Sequence, residues 1–342
     1  MRNATLPFAC AVTLFCAAAV QADTTPRYHL AHTVPLPGDE GWDYLTFDKD
    51  GGRVFVAHGT KVQIVDSEKL TLTGEIGETP GVHGVAIAAD LGRGYISAGR
   101  ENTLIVFDLK SLAVIARIKT TGENPDAVLY EPTTHRVFTF NGRGRNVSVI
   151  DTGKNEVIGT IPVDAKPEFA QADGAGHVYV NLEDRSSIAV IDPQKLVVTA
   201  VWPLGGCEGP SGLAIDTAKR RLFSVCDKVM AVVDANSGHL LAEVPIGAGV
   251  DAAAYDPGTQ LAFASGGDGT LTVVKELTPG KFAAVQTVKT KAGARTMTLD
   301  ERSHRIYLVT AKLGPRPAAT AEQPHPRPSI VPRSFQMLVV DP

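Results

Sequence analysis

A short apolar segment that ends on an acidic residue recurs along the whole chain. In residues 146–151, Asn-Val-Ser-Val-Ile-Asp, apolar and polar positions alternate before the closing aspartate. Copies of this segment occupy residues 62–66, 104–108, 146–151, 188–192, 230–234, 271–275 and 338–341. From Asp66 the copies end 42, 43, 41, 42 and 41 residues apart, and the last follows after 66. Alternation with period two indicates β-strands, and the constant spacing indicates a repeat architecture.

Each repeat contains three further short apolar segments, separated by turns rich in Asp, Gly, Pro and Lys. First strands are predicted at residues 44–47, 84–87, 127–130, 169–172, 212–215, 252–255 and 296–299. Second strands are predicted at residues 54–57, 94–97, 137–140, 178–180, 222–225, 261–264 and 306–309. Fourth strands are predicted at residues 73–76, 114–118, 157–161, 198–202, 240–245 and 283–288. Short strands at this spacing indicate an all-β protein, and four per repeat describe a propeller blade.

The sequence therefore predicts an all-β, seven-bladed β-propeller closed by its N-terminal strand. The seventh repeat supplies only three strands, whereas the alternating segment at residues 28–35 has no repeat of its own. As the fourth strand of the last blade, this segment would remove the exposed sheet edge that otherwise promotes aggregation. A linear solenoid would need polar caps at both ends, and the sequence shows none. One propeller domain is predicted over residues 23–342.

The last repeat is interrupted by a proline-rich insertion at residues 312–334, between its second and third strands. Its prolines exclude a regular helix or strand. A long connection in a compact domain is either functional or disordered. A lid or docking arm and a disordered surface loop both stay open as interpretations.

Residues 1–22 have the pattern of a secretory signal peptide. Arg2 supplies the positive end, and residues 8–20 supply an apolar run that is short for a membrane span. Small residues place the cleavage site after Ala22. We therefore expect an exported, soluble protein with no membrane span after cleavage.

Two of the four cysteines, Cys10 and Cys16, leave with the signal peptide. In an oxidising compartment the remaining pair, Cys207 and Cys226, is predicted to form a disulfide that stiffens residues 208–211. Two separate buried thiols are the alternative.

Composition and charge exclude several classes of function. The chain carries 33 basic and 37 acidic residues, for a net charge of −4, and no basic block. Nucleic acid is therefore not expected as a partner, since no basic groove with interleaved aromatic residues is present. Motifs for phosphate loops, serine hydrolases, covalently attached haem and zinc proteases are also absent. We expect a monomer.

Several repeats contain a recognisable sequence motif. Residues 179–181 with 188–192, and residues 137–141 with 147–151, resemble the YVTN repeat. So does a proline just ahead of first strands, at Pro80, Pro125, Pro167 and Pro210. Over all seven repeats the chain is similar to YncE-type propellers of the bacterial periplasm. This resemblance implies the propeller fold and a periplasmic location, but the motif builds blades and does not specify a function.

Alignment of the seven first strands identifies one polar position immediately before each strand. The residues at this position are Asp43, His83, Asp126, Glu168, Ser211, Asp251 and Arg295. In a propeller these positions surround the mouth of the central channel, so we predict a ligand-binding funnel there. Crowded acids raise one another's pKa unless a cation or hydrogen-bond donor lies among them.

Loops after the second strands are predicted to add a further tier of polar residues to the same face. They contribute His58, Arg100, Asn141, Arg143, Asn181, Glu183 and Asp227. Of these, His58, Asn141 and Asn181 are candidate ligand-binding residues. The acids that end the third strands, such as Asp66 and Asp151, are predicted to accept hydrogen bonds within turns rather than to act in catalysis.

Three interpretations of the funnel stay open, and the sequence favours the first. It binds a small molecule, a peptide or a protein partner; or it is the site of a metal-dependent propeller hydrolase, lactonase or lyase; or its polar residues are merely solvated. In the enzyme, Asp43, Asp126, Glu168 and Asp251 are the candidate ligands of a divalent cation such as Ca²⁺, Mg²⁺ or Mn²⁺. His83 would be the general acid or base, Arg295 would stabilise an anionic intermediate, and Glu168 is the third catalytic candidate.

Overall fold

The structure is a computed structural model that describes residue 1, residues 25–320 and residues 328–342. The predicted signal peptide, residues 1–22, lies outside the described residues apart from Met1. Residues 321–327 of the proline-rich insertion lie outside them as well.

The described chain forms seven four-stranded antiparallel sheets, as the repeat predicts. The N-terminal strand is β1 (His29–Pro35). Blade 1 contains β2 (Trp42–Asp48), β3 (Arg53–His58), β4 (Lys61–Asp66) and β5 (Leu72–Ile76). Blade 2 contains β6 (Val82–Ala88), β7 (Arg93–Ala98), β8 (Thr103–Asp108) and β9 (Val114–Lys119). Blade 3 contains β10 (Pro125–Glu131), β11 (Arg136–Asn141), β12 (Asn146–Asp151) and β13 (Glu156–Pro162).

The remaining blades repeat this order. Blade 4 contains β14 (Pro167–Ala172), β15 (Val178–Leu182), β16 (Ser187–Asp192) and β17 (Val197–Pro203). Blade 5 contains β18 (Leu213–Asp216), β19 (Arg221–Cys226), β20 (Val229–Asp234) and β21 (Leu240–Pro245). Blade 6 contains β22 (Val250–Asp256), β23 (Leu261–Gly266), β24 (Thr270–Thr278) and β25 (Lys281–Lys289). Blade 7 contains β26 (Met297–Asp300), β27 (Arg305–Thr310), β28 (Gln336–Asp341) and the N-terminal β1.

The first strand of each blade lines the centre of the ring. The strands β2, β6, β10, β14, β18, β22 and β26 each contact the next, and β26 contacts β2, so they form a closed cycle. The seven hydrophobic cores lie between neighbouring blades, and each draws its buried side chains from two of them. No blade could bury both of its faces alone, and ring closure buries them all.

The N-terminal strand closes the ring, as predicted. It pairs antiparallel with β28, from His29 opposite Asp341 to Pro35 opposite Gln336, with one bulge. The seventh blade therefore combines strands from both ends of the polypeptide chain, and β28 has no free edge.

The acids that end the third strands accept backbone hydrogen bonds, which confirms their predicted role in turns. Asp66 Oδ1 accepts N–H groups from Glu68 and Lys69, and equivalent pairs reach Asp108, Asp151, Asp192 and Asp234. These donors hold the pKa of Asp66 below its usual value. A second set, which the repeat pattern did not single out, ends the first strands. It comprises the buried acids Asp48, Glu131, Asp173, Asp216, Asp256 and Asp300.

The ends of the proline-rich insertion are attached to the propeller. Leu313 and Ile330 form an isolated antiparallel bridge, and the Arg333 N–H donates to Asp39 Oδ1 at 2.6 Å. In the described part of the chain, no helix has the length and apolar character needed to cross a membrane.

Candidate functional site

A bulge at the start of the first strand orients the channel-mouth residues. In β2, β6, β10, β14 and β22 the pairing register shifts at the strand start, and the predicted polar residue lies at each shift. Sequence analysis placed these residues before the strands, whereas Asp43, His83, Asp126, Glu168 and Asp251 are the second residue of each. A bulge releases a residue from regular pairing and redirects its side chain.

We use the name "funnel" for the cluster of Asp43, His83, Asp126, Glu168, Asp251 and Arg295. Its members come from six different blades. The pKa of Asp251 responds to the charges of Asp43 and Asp126, and that of Glu168 responds to Asp126. The predicted residues are therefore close enough to interact across the channel.

His83 joins two of the funnel carboxyls. Its Nδ1 lies 2.6 Å from Asp43 Oδ2 and 3.4 Å from Asp126 Oδ1. Burial alone would lower the pKa of His83, but the hydrogen bond to Asp43 and the charges of both acids raise it to about 9. Gly99 makes room for the ring, since a Cβ at this position would lie 2.7 Å from His83 Nε2. At neutral pH, His83 is a cation held between two acids.

Glu168 is the most buried funnel carboxyl, with a side chain 9% exposed. Lys166 Nζ lies 2.7 Å from Glu168 Oε1 and also pairs with Glu183. Burial and the charge of Asp126 raise the pKa of Glu168 to about 8, even though Lys166 opposes the shift. Lys166 therefore forms ion pairs with two acids. It is a site residue that was not predicted from the sequence. Its position two residues before Glu168, just ahead of β14, was the available signal.

Asp251 and Arg295 form the third charged group. Arg295 Nε lies 3.0 Å from Asp251 Oδ2. Burial raises the pKa of Asp251 to about 7; Arg295 opposes the shift, while Asp43 and Asp126 add to it. Burial likewise raises the pKa of Asp126 to about 6, against the effect of His83. Three funnel acids therefore bind protons more tightly than free carboxyls do.

Tyr44 crosses the channel beneath these charges, from blade 1 to blade 4. Its hydroxyl donates to Glu168 Oε2 at 3.3 Å, and its ring packs edge-to-face on Phe169 with centroids 5.0 Å apart. Burial, followed by the charges of Asp126 and Glu168, raises the pKa of Tyr44 well above its usual value. Sequence analysis missed this residue too. Tyr44 and Phe169 occupy the same position in two blades. The other five blades have a small residue there, and this contrast was the available signal: Gly84, Ala127, Gly212, Ala252 and Thr296.

The charges of the site do not balance. Five carboxyls, those of the four funnel acids and Glu183, share three cationic groups, His83, Lys166 and Arg295. Two carboxyls therefore lack a cation of their own within the described ranges. Burial, together with this imbalance, is the physical reason why Asp126, Glu168 and Asp251 hold protons near neutral pH.

This imbalance predicts that the protein loses stability as the pH rises. Asp126, Asp251, Glu168 and His83 each have a higher pKa in the folded chain than in the unfolded chain. Between about pH 4 and pH 9 the folded chain therefore binds more protons at these groups than the unfolded chain does. The free energy of unfolding should therefore fall across this window. Urea denaturation at about pH 5, 6.5 and 8 measures the slope.

The variant Glu168→Gln removes the acid with the highest of these carboxyl pKa values and leaves Lys166 paired with Glu183. We expect it to flatten the slope, and Glu123→Gln, an exposed acid just before β10, to leave the slope unchanged. A stability that rises between pH 5 and 8 in the wild type would contradict the account of the funnel charges.

The other predicted ligand-binding residues lie apart from these charges. Ser211 is half-buried and donates from Oγ to the Val250 carbonyl at 3.2 Å, so it joins blade 5 to blade 6. His58, Asn141 and Asn181 are fully buried in this structure. They have no surface with which to touch a ligand at the channel mouth.

Each of these buried residues has an internal partner. His58 stacks on Phe335, with ring centroids 4.1 Å apart, and its Nε2 lies 3.1 Å from the Glu40 carbonyl. Burial lowers the pKa of His58, which favours the neutral ring. Asn181 donates to the Ser211 and Gly212 carbonyls, and Asn141 donates to Asn146 and Ser148. His58 and Asn181 therefore connect neighbouring blades, whereas the bonds of Asn141 lie within blade 3.

Asp43, His83 and Asp126 have the arrangement of a three-ligand cation site. One ligand atom from each lies within 4.8 Å of the others. Chemically, two carboxylates and one imidazole suit a divalent transition metal or Mn²⁺. The ligating nitrogen would be His83 Nδ1, the atom that hydrogen-bonds to Asp43. Metal binding here would therefore have to displace the proton that the raised pKa retains on the ring.

Cys207 and Cys226 form a disulfide, which confirms the predicted pairing. Their Cα atoms are 5.4 Å apart, and both residues are fully buried. The bond joins the loop before β18 to the end of β19. It therefore fixes the segment that carries Ser211 at the rim of the channel.

Comparison with known proteins supports the architecture only. No known family matches the chain, and no curated protein sequence matches it. Among solved structures, the chain is similar to a chain of Kuenenia stuttgartiensis hydrazine synthase, with a TM-score of 0.68 and 17% sequence identity. The similarity covers 80% of this chain and 94% of the hydrazine synthase chain. The chain is also similar to U3-55K and to the WD40 repeats of RRP9. Both have TM-scores of 0.71 and 12% identity over 90% of this chain and 97% or 96% of theirs.

The fold is that of a seven-bladed propeller. Identities this low say nothing about which molecule the chain binds, because propellers with unrelated functions share their blades.

Proposed function

We propose that this chain is an exported, periplasmic β-propeller of the YVTN-repeat type that binds a cationic ligand in the funnel. The observation that carries this proposal is the charge imbalance: five carboxyls share three cations in a partly buried site. An ammonium or guanidinium group supplies the missing positive charge. The signal-peptide pattern of residues 1–22 and the YVTN-like repeats support the location.

Binding would follow from the geometry of three carboxyls. Glu168, Asp251 and Asp126 surround the channel mouth and are partly desolvated, so a cation gains more from each than it would in water. Because strands fix these side chains, little conformational entropy is lost on binding. A bound cation lowers the pKa of each acid, so protons leave as the ligand enters.

The ligand's cationic group could belong to a free amine or to the side chain of a peptide. Both present the same chemistry to the funnel, and Tyr44 and Phe169 contact each other across the channel beneath it. The experiment includes an arm for each source.

Isothermal titration of the mature protein tests this function. The probes are 1,3-diaminopropane, an N-acetylated and C-amidated tripeptide with a central lysine, and the neutral controls propane-1,3-diol and the same blocked tripeptide with norleucine. We expect at least one cationic probe to bind and both neutral probes to fail. Which cation binds more tightly distinguishes the free amine from the peptide.

The double variant Asp126→Asn, Asp251→Asn reduces five carboxyls to three and balances the site. It should weaken binding of the cation by at least about tenfold, the effect of removing two partly buried charge partners. Glu123→Gln, a change in an exposed acid, should leave the affinity unaltered. Equal affinities in the wild type and the double variant would refute the proposal.

The metal-dependent hydrolase, lactonase or lyase is the weaker candidate. Its best three ligands, Asp43, His83 and Asp126, already share a proton on the imidazole. Elemental analysis of protein purified without chelators decides the matter. A stoichiometric metal that is lost in Asp126→Asn would favour the enzyme and count against the amine site.

A further inference from the structure

Below the funnel, the central channel opens into a separate cavity of about 600 Å³. We call it the lower cavity. Phe169 lines its inner end, and turn residues of the opposite face, Thr217, Pro257 and Glu301, line its outer end. None of the funnel residues lines it. Its volume falls within the range typical of small-molecule sites.

The wall of the lower cavity carries apolar side chains at a repeated position of the first strands. Two positions after each funnel position the first strands carry an apolar residue: Leu45, Val85, Val128, Ala170, Leu213, Ala253 and Met297. Four positions after it lie Phe47, Ile87, Tyr130, Ala172, Ile215, Tyr255 and Leu299, all partly exposed. Six of these last seven are large and apolar or aromatic, and all six line the cavity. Partly exposed apolar side chains grouped in a cavity favour an apolar occupant over water.

The polar side chains of the wall are already engaged. Thr46 Oγ1 donates to the Val85 carbonyl at 2.6 Å, and Gln171 Nε2 donates to the Leu213 carbonyl at 2.9 Å. The Tyr130 hydroxyl donates to Asp90 Oδ2 at 2.7 Å. Because these three groups already have partners within the protein, an apolar molecule beside them would not deprive them of a hydrogen bond.

The outer end of the cavity is acidic. Among the described residues its lining includes Glu301 and Asp216 and no lysine, arginine or histidine, although Arg302 lies 5.4 Å from the ring centre of the lining residue Phe47. Burial, followed by the charge of Asp256, raises the pKa of Glu301, and Lys49 offsets this only in part. An anionic head group would be repelled at this end, whereas a cationic one would be attracted.

We propose that the lower cavity is a second binding site, for an apolar molecule with a cationic end, such as an alkylamine. The apolar part lies against the first strands, and the ammonium group lies at the outer end beside Glu301. No funnel residue lines this site, and Tyr44 and Phe169 contact each other across the channel between the site and the funnel.

Three probes with the same chain length test the proposal: decylammonium, 1-decanol and decanoate. Each competes with N-phenyl-1-naphthylamine, an uncharged dye that fluoresces in apolar surroundings. We expect the dye to bind the mature protein, and decylammonium to displace it about tenfold more effectively than 1-decanol. Decanoate should be the weakest competitor.

Variants locate the binding. Glu301→Gln should remove most of the preference for decylammonium over 1-decanol, and Ala254→Trp should reduce dye binding by filling the cavity. Glu301 is exposed, so its variant remains informative if the tryptophan variant fails to fold. Glu156→Gln, an exposed acid on an outer strand, and the funnel variant Asp126→Asn, Asp251→Asn serve as controls that should leave both results unchanged.

The outcomes are distinct. Failure of all three probes to displace the dye, or no binding of the dye, overturns the site. Equal competition by decylammonium and 1-decanol would show that the lower cavity does not prefer a ligand with a cationic end. Loss of binding in the funnel variant overturns the separation of the two sites, and the amine titrations of the funnel are decided independently of all of these results.

Discussion

Deletion of residues 25–35 is expected to cause the largest loss of stability in this protein. The deletion removes β1, which pairs with β28 over its whole length. It also removes Tyr28, which is 2% exposed and packs edge-to-face on Phe263 with centroids 5.0 Å apart. Both the Tyr28 N–H and its carbonyl bond to the side chain of Gln286 in blade 6. The strand therefore joins blade 7 to blade 6 as well as closing its own sheet.

Without β1 the last blade keeps three strands, and β28 presents a free edge on which other chains can pair. We expect the melting temperature to fall by at least about 10 °C, or the chain to aggregate. Circular dichroism and size-exclusion chromatography measure the two effects.

Point variants of Tyr28 measure the contribution of its side-chain packing to stability separately from the contribution of the whole N-terminal segment. Tyr28→Ala should cost about 3–5 kcal/mol, as for other buried aromatic residues. Tyr28→Phe keeps the ring and should cost less than about 1.5 kcal/mol. A deletion variant that melts like the wild type would show that the ring closes without β1.

The second large effect is expected from loss of the disulfide. Cys207 and Cys226 are separated by 19 residues. A crosslink over such a loop stabilises a protein by about 3 kcal/mol. Both sulfurs also lie in the core between blades 4 and 5, so the double variant Cys207→Ala, Cys226→Ala loses packing as well.

We expect the double variant to melt roughly 6 °C or more below the oxidised wild type. Treatment with reductant under partly denaturing conditions should lower the melting temperature of the wild type toward that of the variant. The melting temperature of the variant should not change. A double variant as stable as the oxidised wild type would contradict a stabilising role for the bond.

The repeat made the fold predictable from sequence. Each blade repeats the same strand pattern, and the seven copies of the third strand that end between Asp66 and Asp341 give the number of blades. Strand ends were predicted to within a few residues. The N-terminal strand could be assigned to blade 7 because the last repeat lacks a fourth strand.

The funnel was predictable for the same reason, but its cross-channel contacts were not. Asp43, Asp126 and Asp251 occupy equivalent positions of different repeats, and alignment is sufficient to find them. Tyr44 contacts Glu168 at a separation of 124 residues, a contact that depends on how the ring closes. His58 was assigned to the channel mouth because it ends a second strand. Its burial depends on Phe335, which follows the proline-rich insertion and stacks on its ring.

Two regions of the channel differ in chemistry, and Tyr44 and Phe169 contact each other between them. Above Tyr44 and Phe169 the first strands present charges, and below them they present apolar side chains. The bulges at the start of five first strands produce this division. They orient the charged residues separately from the regular alternation that follows along each strand.

The measurement that tests the central claim most directly is the release of protons when an amine binds. Titration of 1,3-diaminopropane at about pH 7, in two buffers with different ionisation enthalpies, gives the number of protons released. Because Asp251 and Glu168 are partly protonated at this pH, we expect a release of about 0.5–1 proton per bound ligand. The release should disappear in Asp251→Asn, Glu168→Gln. Binding without proton release, or no binding of any amine, would contradict the claim that the unbalanced carboxyls of the funnel form a cation site.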